Sequence, residues 1–184
     1  MFLSSKSPWT HENQSAACGQ SLWSHRLQLD YFQIFVTNSL RNLQFSNRRV
    51  IDISARTLQI ARSKPIMLSI SFVGSRKMRN LNRQYRNKDY GTDVLSFLYE
   101  GEGPRAGDLI ISPENAAKNA QKLGHHLDRE ICFLIVHGVL HLCGFDHELK
   151  RDEIKMFRRQ RLIMKTLGNE NLIPRARQIA RSAR

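Results

Sequence analysis

His137-Gly-Val-Leu-His141-Leu-Cys-Gly144-Phe-Asp-His147 sets three imidazoles in an H-x3-H-x5-H run directly behind an apolar helical stretch. From Asp128 through Ile131, Leu134, Ile135 and Val136 that stretch is apolar on almost every side, as a helix buried at the centre of a domain must be. His137 and His141 are four residues apart, so on such a helix they project from one face about a turn apart and can share one cation. The third imidazole requires the helix to stop. Gly144 supplies the stop, because glycine reaches left-handed φ without a Cβ penalty and lets the chain swing His147 back toward the pair. Three neutral imidazoles at roughly 2.0–2.1 Å from Zn²⁺ leave the fourth tetrahedral position to water, which is the arrangement of a catalytic rather than a closed structural site.

On either side of this run the periodicities alternate between two and 3.6. Tyr31–Thr37 reads as a strand from its β-branched and aromatic residues. Residues 47–62 read as a helix with Asn47 available as a cap and Pro65 as its stop. Ile66–Val73 is a second strand. Gly74-Ser75 opens a helix through Met78, Leu81 and Tyr85, and a turn at Asn87–Gly91 leads to a strand over Asp93–Tyr99. Past the Gly101–Pro104 loop comes a strand at Gly107–Ile111. Ser112-Pro113-Glu114 is then a helix start with cap, first-turn proline and an acid facing the dipole, and that helix stops at Gly124. A final amphipathic helix spans about Leu149–Leu167. The pattern predicts an α+β fold: one domain with a small, mixed, four-stranded sheet and about five helices packed around the central metal-ligand helix. This domain is expected over 29–168. Residues 1–28 are expected to form a loosely ordered extension, and 169–184 a basic tail whose Arg175, Arg177, Arg181 and Arg184 can grip phosphates.

A length of 184 residues suits one domain, and 41% hydrophobic with 24% charged residues is ordinary for a soluble globule. No apolar run approaches the roughly 20 residues of a membrane helix, and neither a secretory signal nor an Arg-rich amphipathic transit pattern opens the chain. Cys18, Cys132 and Cys143 show no C-x2-C pairing, which fits reduced thiols and a cytoplasmic location. Cys143 follows the second histidine, but a helix would point it away from His137 and His141, toward the core. The formal net charge of +13 is unevenly spread. Residues 41–90 carry twelve Lys/Arg against two acids and 149–184 eleven against three, whereas 91–148 carry four against nine. An acidic metal-ligand segment between two basic ones points to a polyanionic partner, since neutralising phosphates releases counterions and yields affinity without sequence reading.

A metal ion with an open position makes metal-assisted hydrolysis the default chemistry. The histidine spacing is also that of the metzincin proteases, but Gly138 stands where those enzymes carry their general-base Glu. The usual peptidase mechanism is therefore closed to this chain. Asp146, beside His147, is the nearest carboxylate in sequence, and it suits orienting an imidazole better than accepting the proton.

Four stretches together resemble the YbeY family of rRNA maturation endoribonucleases, over roughly residues 30–168. They are Leu81-Asn82-Arg-Gln-Tyr85-Arg86, Thr92-Asp93-Val-Leu-Ser96-Phe97, Gly107-Asp108-Leu109 and the His137–His147 run with its Gly138. The resemblance implies an α+β metal-dependent hydrolase with one Zn²⁺ on His137, His141, His147 and a water, and no small-molecule cofactor. It further implies single-strand-specific RNA cleavage in late 3′ processing of small-subunit rRNA and in ribosome quality control, with ribosomal RNA and the small subunit as partners. Arg86 corresponds to the family's cleft arginine, and a guanidinium facing a metal can hold a scissile phosphate bidentately. Thr92 and Ser96 are candidate substrate-binding hydroxyls. Leu98 replaces the proline usual after Ser-Phe, a change at a sheet edge that leaves the metal ligands untouched. The other reading of the same features is a ribosome-associated assembly factor with a mainly structural zinc; oligomeric state stays open.

Overall fold

The computed structural model describes residues 25–173, apart from 30–31, 41–42 and 100–104. The strands are β1 (His25–Leu29), β2 (Phe32–Asn38), β3 (Ile66–Phe72), β4 (Val94–Tyr99) and β5 (Ala106–Ile111). The helices are α1 (Asn47–Ala61), α2 (Ser75–Arg86), α3 (Pro113–Leu123), α4 (Leu127–Leu142) and α5 (Lys150–Asn169). One mixed sheet runs in the order β1-β2-β3-β5-β4, with β2, β3 and β5 parallel and the two outer strands antiparallel to their neighbours. The expected single-domain α+β architecture is thus the one formed. The four expected strands make up its body, and β1 adds an edge that crosses the expected boundary at residue 28. Cys18, the extension before residue 25 and the arginines of the tail beyond 173 lie outside the described residues.

Strand alternation sorts the side chains onto two unequal faces. Ile34 and Val36 of β2, Leu68 and Ile70 of β3, and Leu109 and Ile111 of β5 are buried on the larger face. There they meet Val50, Ile53 and Leu58 of α1, Ile131, Ile135 and Val139 of α4, and Met156, Ile163 and Leu167 of α5. On the other face Leu95, Phe97 and Ile110 form a second cluster with Met78 and Leu81 of α2, and Tyr85 meets Phe97 edge-on with ring centroids 5.2 Å apart. The uniformly apolar α4 is the buried central helix its sequence predicts.

Two glycines set the depth at which α4 sits. A Cβ on Gly138 would overlap Leu109 Cδ1 of β5, and one on Gly107 would come within 3.0 Å of both δ-carbons of Leu142. Helix and strand approach more closely than any side chain at those points allows. Position 138 therefore has no space for the glutamate of a metzincin site.

Helix ends are set locally. α1 begins after Ser46, and Arg62 terminates it in the left-handed region at φ 55, its N–H reaching Gln59 O at 3.0 Å, so the helix stops ahead of Pro65. α2 ends the same way at Asn87, φ 54, and α3 at Gly124, φ 68, the terminator its sequence predicts. Arg105 donates to Leu142 O at 2.7 Å, placing a cation at the negative end of α4.

Substituting Gly138→Ala tests the close approach. Leu109 is fully buried and has nowhere to move, so overpacking by one methyl should destabilise the protein by about 1–3 kcal/mol, despite alanine's better helix propensity. Urea unfolding measures it; an alanine variant as stable as the wild type would show that α4 and β5 can separate freely.

Candidate metal centre

His137 and His141 leave α4 on one side, with their Nε2 atoms 3.2 Å apart. The helix then closes: the N–H of Gly144 bonds to His141 O at 2.9 Å and that of Phe145 to Leu140 O at 3.0 Å, with Gly144 at φ 89. This left-handed residue turns the chain, and the Asp146 carboxylate accepts the His147 N–H at 2.7 Å, which fixes the return. His147 comes back with its ring centroid 5.5 Å from that of His137 and 4.9 Å from that of His141. The three ligand nitrogens all lie within 4.8 Å of one another.

The donor set suits a divalent ion. Tetrahedral bonds of roughly 2.0–2.1 Å put neighbouring nitrogens on the order of 3.4 Å apart, and the His137–His141 pair already stands at that spacing. Two imidazole lone pairs facing each other at 3.2 Å repel unless a proton or a cation lies between them. Burial, with the neighbouring imidazoles adding to it, lowers the His141 pKa to about 4, and burial likewise depresses that of His137. Both rings are thus neutral and able to ligate near pH 7. Cys143 is no competitor: it packs against the main core, and burial raises its thiol pKa.

A second helix supplies the supports. His137 Nδ1 lies 3.2 Å from Gln160 Oε1 on α5. An amide oxygen accepts from Nδ1–H, and this tautomer leaves the Nε2 lone pair facing the cluster. Phe157, one turn earlier on α5, stacks on His147 with centroids 6.2 Å apart, and Phe133 stacks on His137 at 6.0 Å. Gln160 was not anticipated from sequence. Its signal is a polar residue in the otherwise apolar stripe Met156, Gln160, Ile163, Leu167, all four buried. The orienting contact to an imidazole that the sequence suggests for Asp146 is supplied on His137 by Gln160, while the Asp146 carboxylate holds backbone.

The three histidines open on a cleft of about 600 Å³, whose lining also includes Arg86, Thr92 and Ser96. Asn87 in left-handed conformation ends α2 at the cleft wall and places Arg86 and Lys88 there. Thr92 Oγ1 makes only long bonds, 3.3 Å to Val94 O and 3.4 Å to Asp93 Oδ1. On β4, Val94, Ser96 and Leu98 alternate onto the cleft side while Leu95 and Phe97 enter the second cluster. Leu98, the departure from the family pattern, is thus a cleft-wall residue that pairs in register with Gly107.

Gln160→Leu should lower metal affinity about 10- to 100-fold through loss of the tautomer lock, as read by chelator competition. The melting point of the metal-free protein should change little, because the Gln160 Nε2 has no partner among the described residues, so its removal relieves one buried polar atom while the His137 Nδ1–H loses its acceptor. A second expectation concerns acid. Unfolded His141 takes up a proton below about pH 6.5, whereas the folded ring does so only near 4. Stability contributed by this group is complete above 6.5 and declines as pH falls toward 4. The metal-free wild type should bind up to one more proton on unfolding in that window than His141→Phe does, measured from the pH dependence of urea midpoints.

The endoribonuclease YbeY family model matches residues 34–168. Endoribonucleases YbeY of Bacillus thuringiensis and Bacillus cereus are 47% identical to the chain over 113 residues, covering 55% of it and 72% of each relative. A solution structure from Thermotoga maritima superimposes with a TM-score of 0.54 at 23% identity, covering 76% of this chain and 90% of that one, a likeness of fold. With the family match extending over the whole sheet from β2 onward, the cleft and the histidine cluster, the chain belongs to the YbeY family.

Proposed function

We propose that the protein is a zinc-dependent endoribonuclease that cleaves single-stranded RNA during rRNA maturation, in late 3′ processing of small-subunit rRNA and in ribosome quality control. The observation that carries this reading is the three-histidine cluster whose open side shares a cleft with Arg86. Relatives named endoribonucleases support the reaction class. The basic segments flanking the site favour a phosphodiester substrate, with ribosomal RNA and the small subunit as partners. No described helix is long and apolar enough to cross a membrane, in keeping with work on cytoplasmic ribosomes.

His137, His141 and His147 would hold the zinc, with His137 locked in its ligating tautomer by Gln160. Bound there, Zn²⁺ supplies a water acidic enough to act as hydroxide near neutral pH and a Lewis acid for a phosphoryl oxygen. Arg86, which lines the same cleft, grips the scissile phosphate and offsets charge growing on its oxygens. The Thr92 hydroxyl, loosely bonded to its own loop, and Ser96 on β4 supply further donors along the strand. A cleft of about 600 Å³ favours a single strand as the substrate.

His141→Ala should abolish both zinc content and cleavage of a single-stranded oligonucleotide. Cleavage persisting in a metal-free His141→Ala preparation would overturn the reading. Arg86→Ala should keep its metal and lose about 10²- to 10³-fold in kcat; an unchanged rate removes Arg86 from the reaction. Full rescue of rRNA maturation by a folded triple-histidine variant would instead favour the assembly-factor role.

A further inference from the structure

A second groove, of about 620 Å³, meets the cleft at Thr92 and Asp93, which line both. Helical spacing builds its walls: Arg76 and Arg79 come one turn apart from α2, and Lys118 and Lys122 one turn apart from α3. Between them lies Tyr90, 56% exposed, a large aromatic on the surface of a basic groove.

The segment carrying Tyr90 is clamped from both helices. Buried Asn82 of α2 donates to Tyr90 O at 2.8 Å, Asn115 of α3 to Thr92 O at 2.8 Å, and Asn119 to the Asp93 carboxylate at 2.7 Å. Gly91 lies so close to α3 that a Cβ there would come within 2.9 Å of Asn115 Nδ2. The backbone is pinned while the Tyr90 ring is left outward, with Lys88 Nζ 6.0 Å from its centroid. The acids nearby are already engaged: Asp89 with Arg79 at 2.9 Å, Asp93 with Asn119, and Glu114, beside Lys118, with the Ser75 N–H at 3.0 Å. Among the described residues Arg76 and Lys122 have no ion-pair partner.

We propose that this groove is a second binding site for single-stranded RNA, in which a strand leaving the cleft stacks a base on Tyr90 and lays its phosphates between Lys118, Lys122 and Arg76. This inference rests on the endoribonuclease reading and extends the substrate path from the phosphate at the metal to the nucleotides beside it. Cations on two facing walls match a phosphodiester backbone, and a rigid exposed aromatic offers the π-face that any base can stack on. Continuity at Thr92 makes the groove the next surface that such a strand meets. A protein partner with an acidic segment would use the lysines but would leave the stacking surface without a role.

The test uses full-length zinc-loaded protein and nuclease-resistant phosphorothioate single strands. One is short enough to fill the cleft alone, and two others extend it by about six nucleotides at the 5′ or the 3′ end. Wild type should bind one of the extended strands about tenfold more tightly than the short one. Lys118→Ala/Lys122→Ala should lose most of that gain and lower the salt slope by about 1.4. Tyr90→Ala should lose the gain and Tyr90→Phe retain it, while all variants bind the short strand as wild type does. Retention of the full gain by both Tyr90→Ala and the double lysine variant, with short-strand binding intact, overturns the groove as an RNA path and leaves the endoribonuclease reading standing. Loss in the lysine variant with none in Tyr90→Ala overturns the stacking on Tyr90 and leaves a groove that holds the strand by its phosphates alone. A wild type that binds none of the strands removes both readings together.

Discussion

The contact of Gly138 with Leu109 governs where the metal ligands stand. Because the backbone of α4 rests directly on a leucine of β5, the helix lies deep against the sheet, and its two imidazoles open on the cleft that Ser96 and Leu98 of β4 also line. Had the helix stood off by the radius of a methyl group, His137 and His141 would meet the cleft from a different height. The same contact explains why a helix bearing a metalloprotease spacing has no protease base. The residue type at 138 is dictated by packing, and that residue type leaves no place for the peptidase base.

The first two ligands share a helix, but their supports do not. α5 arrives after the Gly144 turn and lays Gln160 on one imidazole and Phe157 on another, so the chain that carries the third histidine also carries the restraints on the first and third. Burial keeps His137 and His141 neutral, whereas the end of α2 furnishes the same cleft with cations. Imidazole donors and guanidinium and ammonium groups thus line one cleft, a set suited to an ion and an anion together.

Much of this was readable in the sequence because it rests on local rules. The period of α4, the i, i+4 histidine pair, Gly124 and Gly144 as terminators, and the alternation in β4 all depend on residues within a turn or two. What escaped depends on distant neighbours. Gln160 contacts His137 across 23 positions, and only its misfit in an apolar stripe hinted at a partner. Arg62 ends α1 without glycine, proline or asparagine because the bonds from Arg62 and Ser63 to Gln59 and Leu58 outweigh the left-handed cost at that residue. β1 is added by pairing with β2 rather than by any strong periodicity of its own. That Arg86, Thr92 and Ser96 line one cleft with the histidines could be reached only through family resemblance, since their spacing along the chain carries no geometry.

The amide of Gln160 also governs charge. In many histidine metal sites a carboxylate accepts from the far ring nitrogen, which lends the ligand anionic character and softens the metal. Here the acceptor is neutral, and the three ligating rings are neutral as well. A divalent ion held by this set would keep its double charge facing the cleft, at the cost of a buried NH₂ that has no acceptor among the described residues. Such a centre would favour electrophilicity over tight retention of its metal. That balance would suit the anionic substrate proposed for this cleft.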